Sequence, residues 1–166
     1  MAVETERKFI IEMPNVPLLA LQEGYFSAEI KQSYLETDKN ETRRVREYVR
    51  NNAPKYFETM KRRISAISAI EDEREIGKSE YEALLKNIKK GSRTIRKTRY
   101  SFPYKERLIE IDVYPEWKKY AIMEIELADE NEEINVPDFI KIYLDVSGKR
   151  EYSNASLAMN FLDEPN

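Results

Sequence analysis

Apolar and polar residues alternate along much of the chain, which is the pattern of β-strands whose two faces meet different surroundings. The alternation predicts eight strands, at residues 2–12, 28–37, 43–50, 56–64, 71–76, 94–102, 107–115 and 121–128. Few of these segments are separated by a helix of crossover length. We therefore expect antiparallel pairing in a barrel or a sandwich rather than a parallel sheet.

Short helices are expected between and after the strands, at residues 14–24, 79–90, 137–144 and 154–162. Ser79 and Glu82 have the spacing of a capping box, which favours a helix start at that point. Asn154 is a good capping residue for the last segment. The leucines of residues 14–24 are available to cover one face of a sheet.

Length and composition limit the function classes. The 166 residues fit one domain, 1–166, and the net charge of -3 with 36% charged residues argues against bulk capture of nucleic acid or an anionic membrane. The chain has no cysteine and no histidine, so any metal must be held by oxygen ligands. No apolar stretch approaches the roughly 20 residues of a membrane span, and the first residues lack a signal-peptide pattern. We expect a soluble, cytoplasmic protein.

Charged residues recur at every second position of the predicted strands, so each set lies on one face. Acids dominate some strands (Glu4/Glu6, Glu73/Glu75, Glu110/Asp112, Glu124/Glu126) and bases dominate others (Arg44/Arg46, Lys61, Lys97/Arg99). One interpretation is a sheet with an ordinary solvated face. The other is a barrel whose apolar face lies outward under helices while the charged face lines the lumen. Positive and negative residues lie on different strands here, whereas a solvent-exposed face usually mixes the two signs within a strand. This separation favours the interpretation in which the charged face lines the lumen.

Converging faces of this kind have a simple chemical requirement. Several carboxylates close together repel one another unless a cation lies among them. Arginines and lysines facing them need an anion, and the arginine fork matches phosphate oxygens. A divalent metal that bridges the carboxylates to a polyphosphate satisfies both sets, and Mg²⁺ is commonly bound in this way.

The order of the charged strands resembles a known family. Glu4, Glu6 and Lys8 match the ExExK signature of the CYTH superfamily, also called triphosphate tunnel metalloenzymes. Further segments resemble that family in the expected order: Gln32–Leu35, Arg44–Arg46, Thr59–Lys61, Glu73–Ile76, Lys97–Tyr100, Glu110–Tyr114, Glu124–Glu126 and Tyr152–Ala158. The resemblance covers residues 3 to about 158, and its specificity comes from the ordered set.

This resemblance implies a mainly β protein with some α (α+β), an eight-stranded antiparallel β-barrel with covering helices whose lumen is a triphosphate tunnel. It implies a metal-dependent phosphohydrolase, and the bacterial branch suggests cleavage of the terminal phosphate of inorganic triphosphate. A class IV adenylyl cyclase, a thiamine triphosphatase and a nucleoside triphosphatase are alternatives. A non-catalytic polyphosphate- or nucleotide-binding module is an alternative of another class.

Site residues follow from the resemblance, with Mg²⁺ or Mn²⁺ as the expected cofactor. The metal ligands are expected to be Glu4, Glu6, Glu124 and Glu126. A second metal or a water is expected near some of Glu73, Glu75, Glu110 and Asp112, or these acids pair with lumen arginines. The phosphate contacts are expected to be Lys8, Arg44, Arg46, Lys61, Lys97, Arg99 and Arg150, with structural ion pairs as the alternative.

Lys8 has two possible roles. Because the chain has no histidine, three groups could serve as the general base: Lys8 assisted by Tyr34, a glutamate, or a water activated by the metal. A plain phosphate contact for Lys8 and a packed hydroxyl for Tyr34 are equally open. The expected partner is a small triphosphate, with no nucleic acid required and no membrane, and a homodimer is left open.

Two departures from the family pattern bear on the site. Ser33 stands where the family has glycine, and Glu71 stands where an arginine usually precedes the ExE strand, so one phosphate contact is missing or moved. Residues 62–70 are longer than typical and are expected to extend a hairpin.

Overall fold

The structure, a computed structural model, describes residues 1–166. It contains nine strands and three short α-helices. In chain order they are β1 (Ala2–Glu12), α1 (Val16–Ala20), β2 (Phe26–Tyr34), β3 (Thr42–Arg50), β4 (Ala53–Arg63), β5 (Ser68–Ile76), α2 (Lys78–Leu84), β6 (Ile95–Tyr104), β7 (Arg107–Val113), β8 (Tyr120–Glu126), β9 (Ile142–Asp145) and α3 (Asn154–Met159). The eight predicted strands are all present, and β9 was not predicted.

Eight strands close into an antiparallel barrel in the order β5-β4-β3-β2-β6-β7-β8-β1, with β1 returning to pair with β5. Closure depends on the register that sets Ala2 opposite Glu71 and Thr5 opposite Ser68. The expected eight-stranded antiparallel barrel is therefore confirmed. Residues 62–70 supply the end of β4, a tight turn and the start of β5. Prediction had started β5 at residue 71 and so missed the residues that close the barrel.

The apolar faces of the strands lie outside the barrel. Phe9, Ile11, Ile109, Ile111 and Ile125 are buried there beneath α1 and the segment that follows β8, and Leu19 of α1 is fully buried among them. Burial of each such side chain contributes about 1.5–3 kcal/mol. The charged faces consequently line the lumen, as the sorting of the signs had indicated.

A second apolar cluster closes part of one barrel end. Ile10, Tyr114 and Ile122 pack there against Leu157 and Ala158 of α3. The α3 helix begins at the expected point, although the capping side chain is Ser153, which accepts a hydrogen bond from the Ser156 amide, and not Asn154. This end is the one that also carries the β2–β3 and β4–β5 connections.

Two helix predictions need correction. Residues 137–144 do not form a helix, because their second half is β9, which pairs with β1 where that strand runs past the barrel. The α2 helix begins at Lys78 after Gly77, with no side-chain cap, so the Ser79–Glu82 capping box is not formed. With α2 the longest at seven residues, none of the α-helices has the length and apolar character required to cross a membrane.

Glu58 holds together the outer face of β3, β4 and β5. Its carboxylate accepts hydrogen bonds from Arg43 Nε at 2.7 Å and from Arg74 Nε at 2.8 Å. Burial acts to raise the pKa of Glu58, but the two arginines outweigh this effect and hold the pKa below its ordinary value. The pair of contacts therefore stabilises the folded state only while Glu58 is ionised.

We predict that Glu58→Gln lowers the free energy of unfolding at pH 7 by about 1–2 kcal/mol, a modest amount because solvent screens the half-exposed Arg74. Stability from a lowered pKa is present above the unfolded-state value and is lost as the pH falls through the folded-state value. Urea titrations at pH 7 and in acid should therefore show the difference from wild type shrinking. Glu82→Gln, on the exposed face of α2, is the matched control and should show little difference at either pH.

Candidate functional site

The lumen contains a cavity of about 640 Å³ that opens at the barrel end beside α3. Many predicted site residues line it: Glu4, Glu6, Lys8, Tyr34, Arg44, Lys61, Arg99, Glu110, Glu124 and Arg150. Others lie outside this lining: Arg46, Glu73, Glu75, Lys97, Asp112 and Glu126. Folding thus gathers about half of the charged positions into one chamber and distributes the rest around it.

Carboxylates of β1 and β8 form an acidic group along one wall. Strand pairing sets Glu6 opposite Glu126, and Lys8 opposite Glu124. Burial and then the charge of Glu124 raise the pKa of Glu6 to about 8. Burial opposes ionisation of Glu124 as well, but Lys8 and Arg99 hold its pKa well below the ordinary value. The two carboxylates therefore oppose one another's ionisation, and the charged form is favoured more on Glu124 than on Glu6.

Glu71 extends this acidic group, and sequence reasoning did not assign it a role there. It lies beside Glu4, and burial followed by the Glu4 charge raises the pKa of Glu71. One oxygen of each carboxylate, Oε2 in both cases, is buried without a hydrogen-bond partner. Lys61 Nζ lies 2.6 Å from Glu4 Oε2, an ion pair whose angles fall outside hydrogen-bond geometry. The signal in the sequence was the alternation Glu71, Glu73, Glu75, which places all three on the inner face of β5.

The donor chemistry of this wall fits a hard divalent cation. Oxygen ligands are what Mg²⁺ and Mn²⁺ prefer, and the buried Glu71 Oε2 has no hydrogen-bond partner, while Glu4 Oε2 is compensated by Lys61 alone. Burial, and then the charge of a neighbouring glutamate, raises the pKa of Glu6, Glu71 and Glu126, and a bound cation would relieve both effects. No three of these side chains converge closely enough to form a ready-made metal site.

Cations without an ion-pair partner also line this cavity, some in the lumen and some at its opening. Arg44 lines the cavity, forms no ion pair, and its Nε is buried without a hydrogen-bond partner. Five further cations of the cavity lining are free of ion pairs: Lys39, Arg62, Arg63, Lys149 and Arg150. A buried, unsatisfied guanidinium is costly, so its retention is best explained by an anionic ligand.

Several predicted phosphate contacts are instead held in ion pairs. Lys97 Nζ donates to Asp112 at 2.8 Å, and both side chains are only 1% exposed. Arg99 Nε donates to the same carboxylate at 2.7 Å and its Nη1 to Glu110 at 3.1 Å, while Arg99 still lines the cavity. Burial lowers the pKa of Lys97 to about 8, and Asp112, flanked by two cations, stays ionised with a lowered pKa. Lys97 and Asp112 therefore have the structural role that the sequence had left open.

Arg46 also lies apart from the cavity. It pairs with Glu73 at 3.3 Å, and its guanidinium lies 5.9 Å from the Tyr48 ring centroid and 5.6 Å from that of Phe57. Glu75, two residues further along β5, is exposed. Arg46 and its acidic partner thus belong to the barrel end opposite the cavity opening.

Lys8 and Tyr34 both line the cavity but contact different groups. Lys8 Nζ donates to the Tyr152 carbonyl at 3.3 Å and lies 3.8 Å from Glu124 Oε1. The Tyr34 hydroxyl accepts a hydrogen bond from Gln32 Nε2 at 3.0 Å. Lys8 thus already acts as a hydrogen-bond donor and has a carboxylate beside it. This geometry suits a phosphate contact better than a proton acceptor.

Solved structures with this architecture are known. The inorganic triphosphatase NE1496 is 24% identical and matches over 99% of both chains, with a TM-score of 0.59. PH1819 from Pyrococcus horikoshii OT3 is 23% identical over 77% of this chain and 80% of its own, with a TM-score of 0.60. A candidate adenylate cyclase from Bacillus halodurans is 18% identical over 78% and 84%, with a TM-score of 0.53. No protein-family model and no curated protein sequence matches this chain.

These similarities establish the fold. The chain has the same eight-stranded antiparallel barrel fold as these solved structures. At these levels of identity, substrate and chemistry must be argued from the chain's own residues.

The buried pair gives a test that separates structural from substrate-binding residues. We predict that Lys97→Met lowers the free energy of unfolding by about 3–5 kcal/mol, because it leaves the buried Asp112 carboxylate with one cation fewer. Urea denaturation measures this loss. Arg96→Gln, the exposed and unpaired neighbour on β6, is the control and should change stability by less than about 0.5 kcal/mol. Unchanged stability with a raised KM for a phosphorylated substrate would instead make Lys97 a phosphate contact.

Proposed function

We propose that this protein is a metal-dependent phosphohydrolase that cleaves the terminal phosphate of inorganic triphosphate inside the barrel. The observation that carries the proposal is the cavity itself, whose lining holds nine cations and five carboxylates and includes Arg44, which forms no ion pair. The protein as a whole has a net charge of -3, so this local positive surplus is not a property of its general composition. A polyanion with a divalent cation is the ligand that compensates both walls.

Glu4, Glu6, Glu124 and Glu126 would hold the cation, with Glu71 close to Glu4. When bound, it supplies positive charge beside the phosphoryl group that is transferred. Binding requires Lys61 to give up part of its contact with Glu4, which frees this ammonium for a phosphate oxygen. The same rearrangement therefore prepares a carboxylate ligand and a phosphate contact.

The chain's own cations would position the substrate. Arg44 offers a guanidinium that no carboxylate occupies. Arg99 would contribute its Nη1, which donates to Glu110 here, because its Nε and Nη2 are both bound to Asp112. Lys8 and Arg150 complete the lining on the side of β1 and α3. In the reaction a water oxygen bonds to the terminal phosphorus, the bridging P–O bond breaks, and pyrophosphate leaves with the electron pair. These cations neutralise the charge that grows on the leaving oxygen.

The lining favours an inorganic substrate over a nucleotide. Nucleobases are usually held by stacking on aromatic side chains. The aromatic residue of this cavity is Tyr34, whose ring is 7% exposed and whose hydroxyl is engaged by Gln32. A class IV adenylyl cyclase and a thiamine or nucleoside triphosphatase remain the alternatives to be tested, together with a non-catalytic polyphosphate-binding module.

Phosphate release should be measured with tripolyphosphate, ATP and thiamine triphosphate separately, each with Mg²⁺, with Mn²⁺ and with EDTA. We expect turnover of tripolyphosphate that depends on the metal and clearly lower turnover of the other two. Release only from nucleotides would overturn the tripolyphosphatase proposal, and formation of cyclic AMP would establish the cyclase. Tight binding of tripolyphosphate without turnover under any of these conditions would indicate the binding module.

Matched variants on one strand connect that activity to the acidic wall. Glu6→Gln removes a carboxylate from the cavity, and we expect it to lower metal-dependent kcat/KM by about 100-fold or more. Glu12→Gln, at the exposed end of β1, makes the same chemical change away from the cavity and should retain activity. Full metal-dependent turnover by Glu6→Gln would show that the metal assignment is wrong.

Lys8 can be assigned by two substitutions. Arginine stays protonated at any accessible pH, so Lys8→Arg retains a phosphate contact but not a proton acceptor. We predict that Lys8→Arg keeps the rate within about tenfold, whereas Lys8→Ala raises KM and loses about 100-fold in kcat/KM. A loss in Lys8→Arg as large as in Lys8→Ala, with a changed pH profile of kcat, would make Lys8 the general base.

A further inference from the structure

The cavity opening is surrounded by cations that the reaction at the acidic wall does not use. Lys39 lies in the β2–β3 connection, Arg62 and Arg63 at the end of β4, and Lys149 before α3. All four are exposed and none forms an ion pair, although Arg63 donates a hydrogen bond to the Ala66 carbonyl. We call these four residues the basic mouth. Three separate connections bring them together around one opening.

The opposite end of the barrel has a different character. The inward positions there carry Glu73 and Glu75, both exposed. Two of the cations at that end have partners, since Arg46 pairs with Glu73 and Arg50 stacks over the Phe26 ring at 4.1 Å. An anionic chain is therefore attracted to one end of the barrel and repelled from the other.

The cavity is also larger than a triphosphate requires. Its 640 Å³ has room for about 20 water molecules, whereas three linked phosphoryl groups fill only part of that volume. Arg44 and Lys61 lie inside the lumen, while the basic mouth lies between them and solvent. A linear anion with its terminal group at the acidic wall would leave any additional phosphoryl groups among the cations of the mouth.

We propose that the basic mouth is a binding site for the part of a linear inorganic polyphosphate that extends beyond the third phosphoryl group, so that chains longer than triphosphate enter end first and are shortened from that end. This inference rests on the proposed function for its chemistry, but the binding site itself does not depend on turnover. In each step water adds its oxygen to the terminal phosphorus and the adjoining bridging P–O bond breaks. Orthophosphate leaves, the electron pair stays on a chain that is one group shorter, and the proton of water passes to the products or to solvent.

A charge-matched pair of variants tests the site. The first combines Lys39→Gln, Arg62→Gln and Lys149→Gln at the mouth. The control combines Lys55→Gln, Lys90→Gln and Arg96→Gln, which are exposed, unpaired and remote from the cavity. Both lose three positive charges, so a difference between them reports position and not net charge.

Binding of tripolyphosphate, tetrapolyphosphate and a linear polyphosphate of about 15 groups is measured by calorimetry, and phosphate release by initial rates, for wild type and both variants. We expect wild type to bind the longer chains more tightly than tripolyphosphate. For those longer chains, the mouth variant should have a Kd and a KM about tenfold higher than wild type. Its kcat with tripolyphosphate should stay within about twofold of wild type. The control should retain the chain-length preference, and added salt should weaken the preference in wild type.

The outcomes separate the two proposals. Turnover of tripolyphosphate with no binding advantage for longer chains overturns the basic mouth and leaves the proposed function standing. Chain-length-dependent binding without turnover of any substrate overturns the proposed function and supports the mouth. Equal losses in the mouth variant and its control would show a nonspecific effect of net charge and would overturn the site. Product chains resolved by gel should shorten one group at a time; early accumulation of internal fragments would overturn end-first entry.

Discussion

The pairing of β1 with β5 is the constraint on which the rest of the structure depends. It closes the sheet, so that the inner face of every strand is removed from bulk water while the outer face is covered by α1, the segment after β8 and α2. Charges enclosed in this way are stable only when an opposite charge, a hydrogen-bond donor or a bound ion lies beside them. The arrangement of ion pairs and unpaired groups in the lumen follows from that requirement.

The lumen meets the requirement in two ways. On the side of β6 and β7 the compensation is internal: Lys97, Arg99 and Asp112 form a buried network that needs no ligand. Around β1, β3 and β5 the compensation is incomplete, since Arg44 forms no ion pair and Glu71 Oε2 is buried without a hydrogen-bond donor. The incomplete side also contains the open cavity, and a ligand is therefore expected there and not in the buried network.

Sequence reasoning recovered the strands and the inward direction of the charges because both depend on a period of two, which is local. It was wrong about residues 137–144, because a short apolar run has no decisive period and its pairing with β1 is a long-range contact. The start of β5 was missed for the same reason, since Ser68 and Ala69 are strand residues only through β1. Sequence reasoning treated Glu71 only as the replacement of an expected arginine, and therefore as a missing phosphate contact. Its position beside Glu4 depends on the pairing of β5 with β1, which is a long-range contact.

By itself the sequence determined which residues share a strand face and which charged residues could build a site, because alternation assigns each side chain to a face. The eight-stranded barrel was indicated by the resemblance of its ordered motifs to a known family. The tertiary structure alone decided how those charged residues are divided. Strands that are distant in the chain supply the partners, so the register and the shape of the barrel determine that Lys97 is neutralised by Asp112 while Arg44 is left free. They also bring cations from three connections to one opening and leave acids at the other. Neither arrangement can be read from spacing, since both depend on the distance between charges across the barrel.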